Sequence, residues 1–337
     1  MKKMLILVAA AALLVAGPLF ANEAVLIDFG LLGADMSVSE NGDNTPNQNQ
    51  ATLMDFSNSK HAGSMTPEQR SFMRTSLAIE NWEIDLPPSA RTILNRSRSF
   101  TREAASERFG LVMGVRVHFP LEPVHARALI RPPFEIPVYE PAADVAADGT
   151  ITPNANGDGT RFENGFGVVQ NVGAIKALAV NVFGMNFPHS FAVVLLDNNG
   201  GRRVIPMGSL QFEGWSEVRW DNPAYIQEVR NRDLRIVPLY PDAVPFVKFG
   251  GFEIRRDGAE RGGDFIAYFK DVKMLYDLAV LDPNGDIDDE AVWGIIQQRE
   301  TARRMAEMER FGQNQVLRHL EAQRQNTVEE FTPTPGN

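Results

Sequence analysis

The sequence predicts a mainly β protein: a two-sheet, jelly-roll-like β-sandwich with a short N-terminal helix and a long C-terminal helix. Three observations carry that expectation. Residues 164–275 break into short runs with the two-residue period of strands, separated by turn residues. Thr66-Pro67-Glu68-Gln69 combines a capping threonine, a first-turn proline and an acidic residue, which marks a helix start. From residue 288 to 325 the apolar residues recur at helical spacing instead.

Residues 1–21 read as a secretory signal. Lys2 and Lys3 form the charged start, residues 4–15 the apolar run, and Pro18 and Ala21 prepare cleavage before Asn22. Residues 22–281 are then the sandwich domain. Residues 25–32 open it as a buried strand, residues 37–50 read as a polar, exposed loop, and residues 52–56 give a second strand. Phe72, Met73 and Leu77 are expected on the inner side of the short helix. Residues 82–86 are extended and stopped by Pro87-Pro88. In 111–119, Leu111, Met113, Val115, Val117 and Phe119 face one way while Val112, Gly114, Arg116 and His118 face the other, a half-buried strand. Residues 128–139 carry Pro132, Pro133 and Pro137, which places them at a sheet edge. Residues 141–165, rich in Ala, Asp, Gly and Asn, are expected as a surface insertion.

Beyond it, Leu178, Val180 and Val182 alternate with Ala177, Ala179, Asn181 and Phe183. Residues 191–196 and 202–207 form a hairpin whose turn, Asp197-Asn-Asn-Gly-Gly201, can supply positive φ angles. Val218 and Trp220 share a face of the next strand. Val247 and Phe249 differ in parity from Phe252 and Ile254, and a one-residue bulge at Gly250-Gly251 would return all four to one face. Residues 264–275 start apolar on both faces, as a central strand does. In the C-terminal segment 282–325, Val292, Ile295, Ile296, Ala302, Met305, Met308, Val316, Leu317 and Leu320 form a helical stripe, with Asp286, Asp288, Asp289 and Glu290 at the positive end of its dipole. That stripe can pack on its own sandwich or on a neighbouring subunit. Residues 326–337 are expected to be disordered.

Composition narrows the function. With 44% hydrophobic and 9% aromatic residues, the 337-residue chain can bury a large core. Cysteine is absent, which excludes disulfides, thiol nucleophiles and zinc–thiolate sites. A formal charge of −10 argues against nucleic acid and anionic membranes as partners. No run beyond the signal approaches the roughly 20 apolar residues of a membrane span, so no membrane insertion is expected.

No catalytic constellation is visible. His61, His118, His125, His189 and His319 have no metal-ligand spacing, and nucleophile-elbow, phosphate-loop and dinucleotide motifs are lacking. Ser209 reads as a turn residue, and Glu213, Glu217 and Asp221 as strand-end carboxylates rather than an acid–base pair. Asp282-Pro-Asn-Gly-Asp-Ile-Asp288 and Asn154-Ala-Asn-Gly-Asp-Gly159 resemble calcium loops but miss required positions, notably with Ile287 where glycine belongs. No metal or cofactor is therefore expected. Trp215, Trp220, Tyr225 and Tyr240 could fill the core, which is the ordinary role of large aromatics, or stack on sugar rings. An exported, acidic, non-catalytic sandwich points to a structural or binding protein.

Several longer words extend this reading. Thr75-Ser-Leu-Ala-Ile-Glu-Asn-Trp82, Val112-Met-Gly-Val-Arg-Val-His-Phe-Pro120, Arg131-Pro-Pro-Phe-Glu-Ile-Pro137 and Asn186-Phe-Pro-His189 resemble the FlaA-type flagellar filament outer-layer (sheath) proteins of spirochaetes. So do Arg219-Trp-Asp-Asn-Pro-Ala-Tyr-Ile226, Val247-Lys-Phe249, Arg255-Arg-Asp-Gly258, Gly263-Asp-Phe265, Tyr268-Phe-Lys-Asp-Val-Lys273 and Asp286-Ile-Asp-Asp-Glu-Ala-Val-Trp-Gly294. The resemblance spans about residues 25–325. It implies a non-catalytic subunit of the periplasmic flagellum, exported by a cleaved signal, that coats the filament core. The implied partners are the core flagellins and other sheath subunits, and the implied location is the periplasm. Residues 144–160 form a longer insertion than the family leads one to expect, and the Thr-Pro-Thr-Pro tail is unusual. The alternative is a periplasmic carbohydrate-binding β-sandwich module. Expected contact regions are the basic patch Arg91, Arg96, Arg98 and Arg102, the insertion 141–165, and the helix face with Trp293, Ile296 and Met308.

Overall fold

Strand alternation becomes two packed sheets. The computed structural model describes residues 22–38, 44–56, 66–67, 70, 73–122, 126–138, 143–145, 151–153, 161–197, 200–223, 225, 245–279, 293, 298, 302, 305–306 and 309–310. In chain order the strands are β1 (Asn22–Asp28), β2 (Met36–Val38), β3 (Asn44–Pro46), β4 (Met54–Asp55), β5 (Arg74–Thr75), β6 (Glu83–Asp85), β7 (Phe100–Ser106), β8 (Gly110–Phe119) and β9 (Arg127–Arg131). They continue with β10 (Ala143–Val145), β11 (Ile151–Pro153), β12 (Val168–Gln170), β13 (Val172–Met185), β14 (Ser190–Asp197), β15 (Arg202–Ser209), β16 (Glu213–Asp221), β17 (Phe246–Arg255) and β18 (Gly263–Leu278). An α-helix, α1 (Ile93–Arg98), lies between β6 and β7.

Sheet I runs β16-β13-β18-β8-β7 with β1 also on β18, and sheet II runs β15-β14-β17-β9-β6 with β12 also on β17. All pairings are antiparallel. The two central strands share a design. On one side β18 pairs with β13, and on the other with β8 up to Phe269 and then with β1 from Asp271. On one side β17 pairs with β14, and on the other with β12 up to Lys248 and then with β9 from Phe252.

Each central strand carries an extra residue where its partner changes. In β17 the register jumps from Phe249 to Gly251 opposite β14, leaving Gly250 unpaired there. This is the bulge anticipated from the glycine pair, and it turns Val247, Phe249, Phe252 and Ile254 all into the core. In β18 the register jumps from Phe269 to Asp271, leaving Lys270 as the extra residue. Before the jump Phe265, Ala267 and Phe269 face inward; after it Val272, Met274 and Tyr276 do. The Lys270 ammonium swings to the Asp28 carboxylate at 2.6 Å.

The sheets meet through aromatic rings. Phe252 and Phe269 stack with centroids 4.2 Å apart and planes 19° from parallel. Phe249 and Phe29 flank Phe252 at 5.1 and 5.9 Å, and Trp82 packs on Phe29 and Phe249 at 5.3 and 5.9 Å. Burying such rings is the main driving force available to a chain without disulfides.

The strand anticipated over 111–119 is β8, but it is buried on both faces rather than half-buried, with Val112 and His118 covered as well as Met113, Val115, Val117 and Phe119. The anticipated hairpin is β14–β15, and the anticipated central strand is β18. Three further expectations change. Residues 48–52 are a 3-10 turn rather than exposed loop, with Asn49, Gln50 and Thr52 buried. The Asn49 amide nitrogen donates to Asp35 at 2.8 Å, and the Leu77 N–H donates to Thr52 at 3.1 Å, so these two groups find partners inside, whereas the buried Asn49 Oδ1 has none among the described residues. β9 is not an edge strand, because the three-residue β6 pairs outside it and the prolines follow only after Arg131. Within 141–165, β10 pairs with β11, and Phe162 enters the core, 6.0 Å from Phe134. At the short N-terminal helix, Pro67 and Arg70 are helical and the Arg70 N–H donates to Thr66, but the segment as a whole lies outside the described residues. So does most of 282–337, where described positions from Trp293 to Arg310 are helical and no long helix is described.

Gly251 has φ +125, and a Cβ there would overlap the Ile130 carbonyl oxygen. Gly251→Ala should destabilise the fold by about 3 kcal/mol or more. Gly258, with open space around it, should accept alanine within about 0.5 kcal/mol. Paired chemical denaturation curves check this, and equal midpoints would refute the bulge constraint.

His189 offers a pH test. Its ring stacks on Phe265 at 5.3 Å and meets Phe119 edge-on at 5.3 Å. Burial pushes the imidazole down from 6.5 to about 4. The unfolded chain takes up that proton near pH 6.5 and the folded chain only near pH 4. Stability on the order of 3 kcal/mol is therefore present above pH 6.5 and lost as pH falls toward 4. His189→Phe should flatten the fall in unfolding free energy across that window, whatever its baseline stability. An unchanged slope would show that other groups carry it.

Candidate interaction surface

The outer face of sheet I holds the most distinctive exposed chemistry among the described residues. Antiparallel register brings five residues into one row across five strands. Arg102 of β7 pairs with Gly114 of β8, Gly114 with Tyr268 of β18, Tyr268 with Phe183 of β13, and Phe183 with Trp215 of β16. Each is on the opposite parity from its strand's core residues, so the row points outward. The Tyr268 ring lies over Gly114, where an added Cβ would come within 3.1 Å of it. Phe183 meets Tyr268 at 5.8 Å and Trp215 at 5.6 Å, both edge-to-face, and Phe109 from the β7–β8 turn meets Trp215 at 4.8 Å. These rings are half-buried, mostly by one another.

Charge is graded along the row. At the β7 end the Arg102 and Arg116 guanidinium groups lie 5.4 and 5.8 Å from the Phe100 ring. Arg116 and His118 both reach Asp264, at 2.5 and 2.6 Å, and the Arg116 hydrogen bond holds that carboxyl below its ordinary range. α1 prolongs this end. Its anchor is polar: Thr92 accepts from the Asn95 N–H, and the buried Asn95 side chain donates to Ala90 at 2.8 Å. That geometry leaves Ile93 90% and Leu94 52% exposed beside the exposed Arg96 and Arg98. At the opposite edge, β16 presents exposed Glu213, Glu217 and Asp221, with Arg219 paired to Asp221 at 2.8 Å.

The four arginines singled out from the sequence therefore divide. All four are exposed, Arg102 beside the Phe100 ring, whereas Arg91 bonds Asp85 and the Leu86 carbonyl and holds the loop before α1. Trp293 is 64% exposed, and Ile296 and Met308 lie outside the described residues. Arg310 donates to the Pro133 carbonyl at 3.3 Å and approaches Glu83 at 3.9 Å, so that point of the C-terminal segment touches its own sandwich.

The aromatic group read from the sequence comes apart. Trp215 joins the outer row, Trp220 packs against the core, the Tyr225 hydroxyl donates to Asp277 at 2.7 Å, and Tyr240 lies outside the described residues. The true neighbours of Trp215 were missed. Their one visible signal was parity, with Phe183 out of phase with Val180 and Val182.

The Ser209 hydroxyl accepts from the Gln211 N–H at 3.2 Å, a turn role. Glu213, Glu217 and Asp221 stand along one exposed strand, Asp221 paired with Arg219, and among the described residues no group of three His, Asp or Glu could hold a metal. Both calcium-like segments lie outside the described residues. No described helix is long and apolar enough to cross a membrane. What this surface offers chemically is contact: apolar rings framed by opposite charges.

Comparison with known proteins bears on that role. The model of the family described as flagellar filament outer layer protein matches residues 45–285. A flagellar filament outer layer protein of Treponema pallidum (strain Nichols) is 43% identical, over 100% of this chain and 98% of that protein. One of Spirochaeta aurantia is 42% identical, over 93% of this chain and 90% of that protein. Among solved structures, TmCBM61 in complex with beta-1,4-galactotriose is similar at 8% identity and a TM-score of 0.27, over 65% of this chain and 95% of that one, too slight a likeness to suggest a ligand. The residue words that resembled sheath proteins and this full-length identity agree: the chain belongs to the FlaA family of flagellar filament outer layer proteins.

Proposed function

We propose that the chain is a non-catalytic structural subunit of the sheath of a periplasmic flagellar filament, coating a flagellin core and supporting motility. The observation that carries this is identity above 40% to two flagellar filament outer layer proteins over nearly the whole chain. The sequence of residues 1–21 supports export through a cleaved signal to the periplasm. The partners are core flagellins and neighbouring sheath subunits. A coat needs broad matching surfaces with a few aromatic anchors rather than a cavity, and the outer face of sheet I has that character. Trp293, Ile296 and Met308 supply a further contact face on the C-terminal segment, read as a long helix.

A second reading, carbohydrate binding, draws on the half-buried Trp215–Phe183–Tyr268 row, since such rings can stack on sugars. A glycan array on the purified chain separates the two readings: binding lost in Trp215→Ala would favour the second.

Periplasmic filaments isolated and washed should retain the chain together with flagellins in mass spectrometry, with little left in the soluble fraction. A chain that stays soluble, with filaments lacking it, would overturn the coat reading. In the same preparation, joint replacement of Trp293, Ile296 and Met308 by alanine should lower incorporation several-fold while leaving the sandwich's thermal transition in place. Normal incorporation would remove that face from the interface.

A further inference from the structure

We propose that copies of this chain join head to tail through sheet I, the basic β7–α1 edge of one copy seating on the acidic β16 edge of the next. The inference rests on the coat reading and names the partner of the surface just described: a second copy of the same chain.

The two edges stand at opposite ends of one sheet's strand order, β7 at one end and β16 at the other. Arg98 and Arg102 stand exposed at one edge, and Glu213 and Glu217 at the other. Charges on an edge strand ordinarily serve to keep it from aggregating. Here opposite edges carry opposite signs, so a rigid shift of one copy brings unlike charges together. A two-fold contact edge to edge would instead place Arg98 and Arg102 against their own copies. Complementarity thus favours a heterologous contact, the kind that continues into open rows rather than closing as a dimer.

The basic edge also carries apolar surface that its own fold leaves open. Ile93 is 90%, Leu94 52% and Phe100 36% exposed. Such side chains provide the desolvated centre an interface requires, with the arginines as its rim. On the acidic edge, half-buried Trp215 lies between exposed Glu213 and Glu217 and offers the apolar counterpart. Among the described residues, β16 hydrogen-bonds to β13 alone in its sheet.

Charge reversal tests this. The chain purified without residues 1–21 would be studied by sedimentation velocity over a range of concentrations at low and high salt. Arg98→Glu with Arg102→Glu makes both edges acidic, and Glu213→Lys with Glu217→Lys makes both basic. The wild-type chain should form concentration-dependent oligomers at low salt that dissociate at high salt. Each double variant alone should associate at least about tenfold more weakly. An equimolar mixture should associate again, and that rescue also shows that both variants are folded. A wild-type chain that stays monomeric at low salt, variants that associate like wild type, or a mixture that fails to recover would each overturn the proposal. Filament isolation keeps this separate from the coat reading. A chain that is monomeric in solution but lost from filaments on reversing Arg98 and Arg102 would assign that edge to another protein, and the coat reading would stand. A chain that assembles through these edges but is absent from filaments would overturn the coat reading alone.

Discussion

The stack of Phe252 on Phe269 is the contact around which the sandwich is organised, because it joins the central strand of one sheet to the central strand of the other. Neither ring would reach the stack with its flanking core residues in phase if its strand were regular. In β17 the unpaired Gly250 and the positive φ of Gly251 reset the phase just before Phe252; in β18 the extra Lys270 resets it just after Phe269. The same two irregularities let each central strand change partner halfway along. One local device therefore serves both packing and pairing, and Gly251 is fixed by backbone crowding from β9.

Elsewhere in the fold, charge is consumed internally. Glu253 sits almost fully buried on sheet II, where burial alone would raise its carboxyl. Arg255, Arg202 and Arg127 hold it below its ordinary range instead. Lys248, equally buried, pairs with Glu135 at 2.5 Å. On sheet I the outer row of rings lies between Arg102 on β7 and Glu213 and Glu217 on β16, while Arg116–Asp264 and Lys176–Asp277 pair on the strands between. A protein of the filament outer layer family has use for such a face, since assembly asks for breadth and direction rather than for a cleft.

Much of this was legible beforehand, for identifiable reasons. From Leu178 to Phe183 β13 has one buried face, so its alternation is clean. The β14–β15 hairpin announces itself through Asp197 and Gly200-Gly201. The β17 bulge was visible because glycine marks it, whereas the β18 bulge was not, because Lys270 carries no such mark, although the change from Phe269 to Val272 in phase was there to be read. Asn49 looked like a loop residue and Thr52 like the start of a strand because their partners, Asp35 and the Leu77 N–H, lie far away in sequence. The aromatic row depends on register between strands distant in the chain, which no local pattern contains; parity shows that Phe183 points outward but not that Trp215 and Tyr268 flank it. The shared family was legible in residue words, independently of any of this geometry.

The first strand and the last are partners: Asn22 pairs with Tyr276 and Asp28 with Asp271. Sheet I thus has no centre until β18 exists, and β13, β8 and β1 all wait for the same late segment. A nascent chain shorter than this cannot close its core, whatever its hydrophobic content. Such non-local pairing places the sandwich among slow folders, on the order of milliseconds to seconds. It also leaves β1, β8 and β13 without their common partner until β18 arrives, so the closing of sheet I is timed by the one described strand that is made last.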